Sequence, residues 1–266
     1  STIDANDLDY VDGVRRALTP SGIQVVIPVM TSSAPLIELR SLVRSGSLGG
    51  VVLMDVAQGD EREAMLLDEE IPTVLIGSSG RAVGAPGVDT DFVQMAHASV
   101  EHLAGLGHRR IIALMRETAY DDAHARQDQA HELLRAAGDL GVDVLVRQVP
   151  ELALACGDIV GADGLVEGCS AVISNNPAAV VGLACAAQAH GLSIPADLSV
   201  LTLGVTECRG RQGESFSELS VDREAMGAAA GSLLLARLRG EPDPVERRTL
   251  MPAFLRDRGS TARFRS

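Results

Sequence analysis

Short apolar runs alternate along the chain with longer stretches in which apolar residues recur every three or four positions. The short runs predict strands at 22–30 (GIQVVIPVM), 49–56 (GGVVLMDV), 72–77 (PTVLIG), 109–115 (RRIIALM), 142–149 (VDVLVRQV), 169–174 (CSAVIS) and 197–204 (DLSVLTLG). Most are continuously hydrophobic. A strand covered by helices on both faces reads this way, so the pattern predicts parallel sheets. The longer stretches predict helices at 92–106, 120–137, 177–190 and 223–239. In the first of these Phe92, Met95, Ala96, Val100 and Leu103 fall at helical spacing, and Gly107 stands where a left-handed residue ends a helix. Gly191 and Gly240 end the last two, with Pro195 and Pro242 soon after. Asn176 is placed to cap the helix that Pro177 begins.

Repeated strand–helix units mean an α/β, doubly wound architecture. The strands are too many for one small sheet, and 266 residues suit two lobes of about 100–150 residues each. The expectation is therefore two Rossmann-like lobes with parallel sheets. No linker separates them, which points to lobes joined by several crossing segments.

Composition narrows the function. Aromatics make up 2% of the chain and Trp is absent, so the core must be aliphatic. The net charge of −13 disfavours binding to phosphate backbones or to an anionic membrane surface. Cys156, Cys169, Cys185 and Cys208 form no CxxC pair and fit no zinc spacing; with no signal peptide and no long apolar span, a reduced, cytoplasmic protein is expected. The glycine-rich dinucleotide and triphosphate motifs, the G-x-S-x-G elbow and H-E-x-x-H are all missing. His97 and His102 are five apart and do not share a helix face; His124 and His131, two turns apart, make no metal site by themselves. No catalytic residue, metal or cofactor is expected. His108, just after a helix end, reads as a structural donor to the last carbonyls.

Three segments together resemble the LacI/GalR family of bacterial transcription regulators. The first is IPTVLIG (71–77) followed by VDTDFVQMAHASVEHLAGLGHRRIIAL (88–114), in which Asp91, His102, Leu103 and Leu106–Ile111 match the family pattern. The second is SAVISNNPAAVVGLACAAQAHGLSIPADLSVLTLG (170–204). The third is LSVDREAMGAAAGSLLLARLRGEP (219–242) with RDRGSTAR (256–263). Their order and spacing extend over about 200 residues.

The resemblance implies a periplasmic-binding-protein-like fold of type I, with two lobes, three crossovers and a small effector in the cleft between them. By analogy the crossovers fall near 115–119, 219–223 and 245–250. The first lobe is then 1–116 plus 222–246, the second 117–221 plus 247–266, and strand 249–256 finishes the second. The implied function is effector sensing in a transcriptional repressor. Operator DNA would be bound through a headpiece not present in this sequence, in a homodimer. The alternative is an extracytoplasmic sugar-binding protein feeding an ABC transporter, which an export signal upstream would favour. An enzyme is not expected.

Ligands of open α/β sheets bind beyond the carboxyl ends of strands, here 4–10, 77–86, 117–126, 175–177 and 204–216. Asp7 lies in the first of these. Four of the six aromatics, Tyr10, Phe92, Tyr120 and Phe216, lie in or beside them and are candidate stacking surfaces, though so few rings in so many loops also fall there by chance. The resemblance carries a key ligand-binding Arg onto Arg126, contact positions onto Tyr120 and Asp122, and the family's Asn onto Asn175. An ion pair with Asp122 is the alternative use of Arg126. The sequence departs from the family at Leu203-Gly204 for Phe-Asp, at Phe92 for Asn, at Gln129-Ala130 for Gly-Phe and at Asn176 for Asp. A site that has lost a carboxylate and gained apolar surface suits an effector with fewer hydroxyls than a simple hexose. Where the family has a strand before the helix that 9–18 resembles, only STIDAND precedes it here: either that strand lies outside this sequence or the first lobe departs from the family.

Overall fold

The computed structural model describes residues 5–28, 35–117, 124–150, 169–204 and 215–264. The chain divides into two compact units. Among the described residues it passes from the first unit to the second after Thr90, is grouped with the first again at His124–Ala125, returns to it at Asp222, and passes over again after Met251.

The first unit holds a four-stranded parallel sheet of β1 (Val51–Leu53), β2 (Thr73–Ile76), β3 (Gly87–Thr90) and β9 (Arg248–Met251), in the order β1-β2-β3-β9. One face packs on α2 (Pro35–Arg44) and α3 (Glu61–Asp68) through Leu39, Val43, Leu53, Met65, Leu66 and Leu75. The helix α7 (Arg223–Leu238) contacts β1, β2 and β3. On α7 lies α1 (Ala5–Leu18), and this contact is made by glycine. A Cβ on Gly227 would overlap the Tyr10 carbonyl, and one on Gly13 the Glu224 carbonyl. At Gly231 it would stand 2.8 Å from the Ala17 Cβ. The two helix backbones therefore meet directly, as small residues permit.

The second unit holds six strands: β4 (Arg110–Arg116), β5 (Asp143–Val149), β6 (Ala171–Ser174), β7 (Ser199–Leu203), β8 (Ser217–Ser220) and β10 (Phe254–Arg256). Their order is β10-β8-β7-β6-β4-β5, all parallel except β10, which runs antiparallel to β8. Among the described residues its helices are α4 (Phe92–Gly105), α5 (His124–Leu140) and α6 (Pro177–Ala189). Ile112, Leu114, Val172, Leu198 and Val200 make one core with Ala179, Val180 and Leu183 of α6. The alternate residues Ile111, Ala113, Met115, Ile173 and Leu201 are buried as well, which is why these strands read as unbroken apolar runs. Each such side chain contributes about 1.5–3 kcal/mol by burial. The Asn176 cap and the Gly107 stop are as expected, and Asp91 and Asp222 cap their helices in the same way. Asp91, Asn176 and Asp222 accept from Gln94 N, Ala179 N and Ala225 N respectively, and Gly107 has φ 95°.

Several expectations are corrected. The predicted strand at 22–30 is not one over 22–28. That segment follows a 3-10 turn at Thr19–Ser21, pairs with no described strand and leaves Val26 66% exposed. A strand needs a neighbour, and β1 pairs only with β2. The single strand expected at 249–256 is two strands. Pro252 lies between β9, in the first unit, and β10, in the second, because proline cannot continue the ladder. The expected first lobe ran to 116, but α4 and β4 lie in the second unit, where β4 pairs with β5 and β6. Strands β3 (GVDT) and β8 (SELS) and helices α2 and α3 were not foreseen; the two strands are short and, unlike β2 and β6, mostly polar, so they show no apolar run.

Candidate functional site

The carboxyl ends of β4, β5 and β6 in the second unit are joined by side-chain amides. Ser174, the last residue of β6, donates to Leu114 O at 2.6 Å and accepts from Asn176 N at 3.1 Å. This turns the chain so that Asn175 and Asn176 leave the strand end in fixed directions. Asn176 is fully buried. Its Oδ1 caps α6 and its Nδ2 donates to Val149 O at 3.1 Å and Pro150 O at 3.2 Å, so it ties the end of β5 to the start of α6. Asn175 is half-buried. Its Oδ1 accepts from Arg116 N at 2.8 Å and its Nδ2 donates to Gln129 Oε1 of α5 at 2.6 Å. At the end of β7, Gly204 has φ 61°, and nothing lies within 4 Å of the place a side chain would begin. At the end of β8, Ser220 is buried, and its Oγ has no hydrogen-bond partner among the described residues.

The corresponding rim of the first unit is charged. Asp89, at the end of β3, is buried; its Oδ1 accepts from Thr90 N at 2.8 Å and its Oδ2 pairs with Arg248 Nη2 at 2.7 Å. Tyr10 of α1 bonds Arg223, the first residue of α7, and feels the charges of Asp7 and Asp89. Burial raises the Tyr10 hydroxyl above its usual 10.0; Arg223 pulls it back, and the two carboxylates push it up again. The loops after β1 and β2 are fastened by two arginines. Arg62 reaches Asp60 Oδ2 at 2.6 Å and Asp55 O at 2.8 Å, and Arg81 reaches Gly59 O at 2.8 Å and Glu63 Oε2 at 3.2 Å. Burial works to raise the Asp60 carboxyl, but the bonds from Arg62 and Ala57 outweigh it and hold it below 3.8. Asp55, at φ 49°, holds a left-handed conformation rare outside glycine.

The candidates from the sequence thus separate. Asp7 and Tyr10 come together, with Asp89, Arg223 and Arg248 as partners that the sequence did not single out. Phe92 is the half-buried first residue of α4. Phe216 is 2% exposed and packs in the aliphatic core beside α6, so it is a core residue and no stacking surface. Phe216, just before β8, packs with Ala179, Val180 and Leu183 of α6, which a loop reading cannot see. Tyr120 and Asp122 lie outside the described residues, as does the side chain of Arg126, whose backbone lies in the first turn of α5. Gln129 was visible only as a departure from the family pattern.

His108 is structural, although its partners are not the helix carbonyls. It is buried, with Nδ1 2.7 Å from Ser170 Oγ and Nε2 3.0 Å from Ala262 O. A carbonyl only accepts, so Nε2 carries the proton and Nδ1 accepts from the serine. His102 bonds Thr261 Oγ1 at 3.0 Å, and Phe264 N donates to Leu106 O at 2.9 Å. The C-terminal segment is thereby held to the second unit. Burial lowers both imidazoles below 6.5, more than Asp257 raises His102 or Ala262 raises His108. Among the described residues no group of His, Cys, Asp and Glu could hold a metal ion, and no helix is long and apolar enough to cross a membrane.

A family model described as a periplasmic binding protein-like domain matches residues 100–261. An uncharacterised HTH-type transcriptional regulator from Streptomyces limosus is 25% identical over 85% of this chain; the chain spans 66% of that relative, just under two thirds of its length. The structure of a LacI family transcriptional regulator from Bifidobacterium animalis subsp. lactis superimposes with a TM-score of 0.84 at 19% identity, over 97% of this chain and 94% of that one. A transcriptional regulator CelR–cellobiose complex superimposes with a TM-score of 0.81 at 20% identity, over 97% of this chain and 79% of that one.

Proposed function

The chain belongs to the family of periplasmic-binding-protein-like domains, and from that premise we propose that it is the effector-sensing part of a LacI-type transcriptional repressor. The observation that carries this reading is the amide-joined rim of the second unit. Asn175, at the end of a parallel strand, is held by Arg116 N on one side and Gln129 on the other. A polar group held this firmly at a strand's carboxyl end orients a ligand without having to be ordered on binding.

The reading takes the effector to be a sugar or a related small molecule. A neighbour in fold is described as a cellobiose complex, which supports a carbohydrate-like class. Binding would act by favouring one conformation of the protein over another, by no more than its differential affinity for the two. Operator DNA would be bound by a separate helix-turn-helix headpiece, on paired half-sites that require a homodimer. In this reading the protein works in the cytoplasm as a binding module rather than an enzyme. The matched relatives named as regulators support it over transport.

A thermal-shift screen of the chain against sugars, sugar phosphates, nucleosides and small acids tests it. A ligand at 100 times its Kd adds about 2.7 kcal/mol, read as a rise of several degrees. We expect at least one such rise, lost in Arg126→Ala. A well-folded chain that responds to no compound, or a response that Arg126→Ala leaves intact, counts against the proposed site.

A further inference from the structure

The chain passes between the units after Thr90, before Asp222 and after Met251. On the first unit's side these passages are tied together. Thr90 and Met251 are the last register pair of β3 and β9, and α7, which begins just after Asp222, contacts β3. Asp222 is fixed by capping α7, its Oδ1 accepting from Ala225 N at 2.8 Å.

On the second unit's side the same passages lead into different elements. Asp91 caps α4, Val221 follows β8, and Pro252 and Ala253 lead into β10. β8 and β10 are joined at once, because Phe254 pairs with Ser220. A helix has no strand edge to offer β10, and Pro252 has no N–H to donate. The link to α4 is made by one side chain. Gln94, in the first turn of α4, accepts from Ala253 N at 2.9 Å through Oε1 and donates to Ala253 O at 3.1 Å through Nε2. Its amide does for Ala253 what the peptide group of a neighbouring strand would do. Ala253 is buried, so its backbone groups must find partners inside the protein. Gln94 is held in turn by Asp91, whose Oδ1 accepts from its backbone N–H at 2.9 Å.

Each passage is thus fastened close on either side. Thr90 is paired and Asp91 is a cap. Ser220 is paired and Asp222 is a cap, with Val221 between. Met251 is paired and Ala253 is bonded to Gln94, with Pro252 between. We propose that Gln94 is a positioning residue of the conformational response: it limits the passage after Met251 to Pro252, whose ring already fixes φ, and ties that passage to the one at Thr90–Asp91 so that the two bend together. Bending confined to a few dihedrals leaves few alternative conformations, so an effector's differential affinity acts on one equilibrium. This goes beyond the sensing function proposed above, and its test needs no effector.

The test is backbone amide relaxation by NMR, with amide hydrogen exchange, on the whole unliganded chain and on Gln94→Met and Gln94→Asn. Methionine has the reach of glutamine without its donor. Asparagine keeps the amide but is one carbon too short to make both bonds. In the parent, Gln94, Ala253 and Phe254 should show order parameters of about 0.85, as rigid backbone does. In both variants the order parameter of Ala253 should fall below about 0.6, that of Phe254 should fall with it, and the Ala253 amide should exchange about tenfold faster or more. Val100 and Leu103, later in α4, should keep the parent's protection. Low order parameters at Ala253 and Phe254 in the parent overturn the proposal, as do parent values there in either variant. A lower melting temperature with unchanged order parameters assigns Gln94 to stability alone and overturns it too. So does loss of protection along the whole of α4, which would mean that Gln94 holds the helix and not the passage. Each of these leaves the sensing function standing, which the thermal-shift screen decides separately.

Discussion

The two units use the same strand–helix plan and finish their rims with opposite chemistry. In the second, strand ends are joined by neutral amides, Asn175 between Arg116 N and Gln129, and Asn176 to Val149 O and Pro150 O. In the first, the rim is a set of ion pairs, Asp89 with Arg248, Asp60 with Arg62 and Glu63 with Arg81. A neutral network offers directional donors at little desolvation cost. A charged one fixes loops firmly. The units also differ in how their helices are seated. The first depends on glycines at a helix crossing, whereas glycines within α4 and α5 of the second have open space around them.

That last difference gives the largest expected effect. Gly227→Ala forces a methyl into the Tyr10 carbonyl and should destabilise the first unit by about 3 kcal/mol, with a fall in melting temperature of order 10 °C. Gly138→Ala, in the last turn of α5 with nothing within 4 Å, should instead stabilise by up to about 0.5 kcal/mol. Equal effects at the two positions in urea unfolding would erase the contrast.

Next in size is Asn176→Asp. The carboxylate keeps the cap on α6 but loses the donor to Val149 O and Pro150 O, and sets a charge against both carbonyls. A loss of about 2 kcal/mol is expected. Asn176→Asp unfolding at the parent's urea midpoint would show that the amide's donors do not hold β5 to α6.

The smallest effect separates the units by pH. In the second unit His102 and His108 are held neutral below 6.5. The unfolded chain therefore binds protons that the folded chain refuses. Their contribution is complete above about pH 7 and is lost as the pH falls through 6.5 toward the lower folded values. In the first unit the Asp60 carboxyl is held below 3.8, so its contribution survives to about pH 4 and is lost only below that. Urea midpoints should fall between pH 7.5 and 5.5, and fall less in His108→Gln. An unchanged slope in that variant would remove His108 as the cause.

Much of the second unit was legible in the sequence. β4, β6 and β7 are buried on both faces, and the unbroken apolar runs of 109–115, 169–174 and 197–204 record that. The caps were legible too, since Asn176 and Gly107 act on their immediate neighbours. The first unit was less so. Residues 22–28 carry a strand's pattern but have no described partner, and a pattern cannot show whether a neighbour is present. At the rims, Asn175 came through the family resemblance, while the charged partners of Tyr10 lie on β3 and on α7, about 80 and 210 residues away in sequence.

By itself the sequence determined the element types, the two-layered use of aliphatic strands and the class of protein. The first two depend on residue spacing within one element or on local turn chemistry, and the last on the family resemblance. The tertiary structure decided that 249–256 is two strands in two units, that Phe216 is core, and that the Gln129 amide faces as it does. Each of these depends on which strand lies beside which. The last follows from a single backbone N–H of β4, donated across to the neighbouring strand's end, whose direction no residue identity encodes.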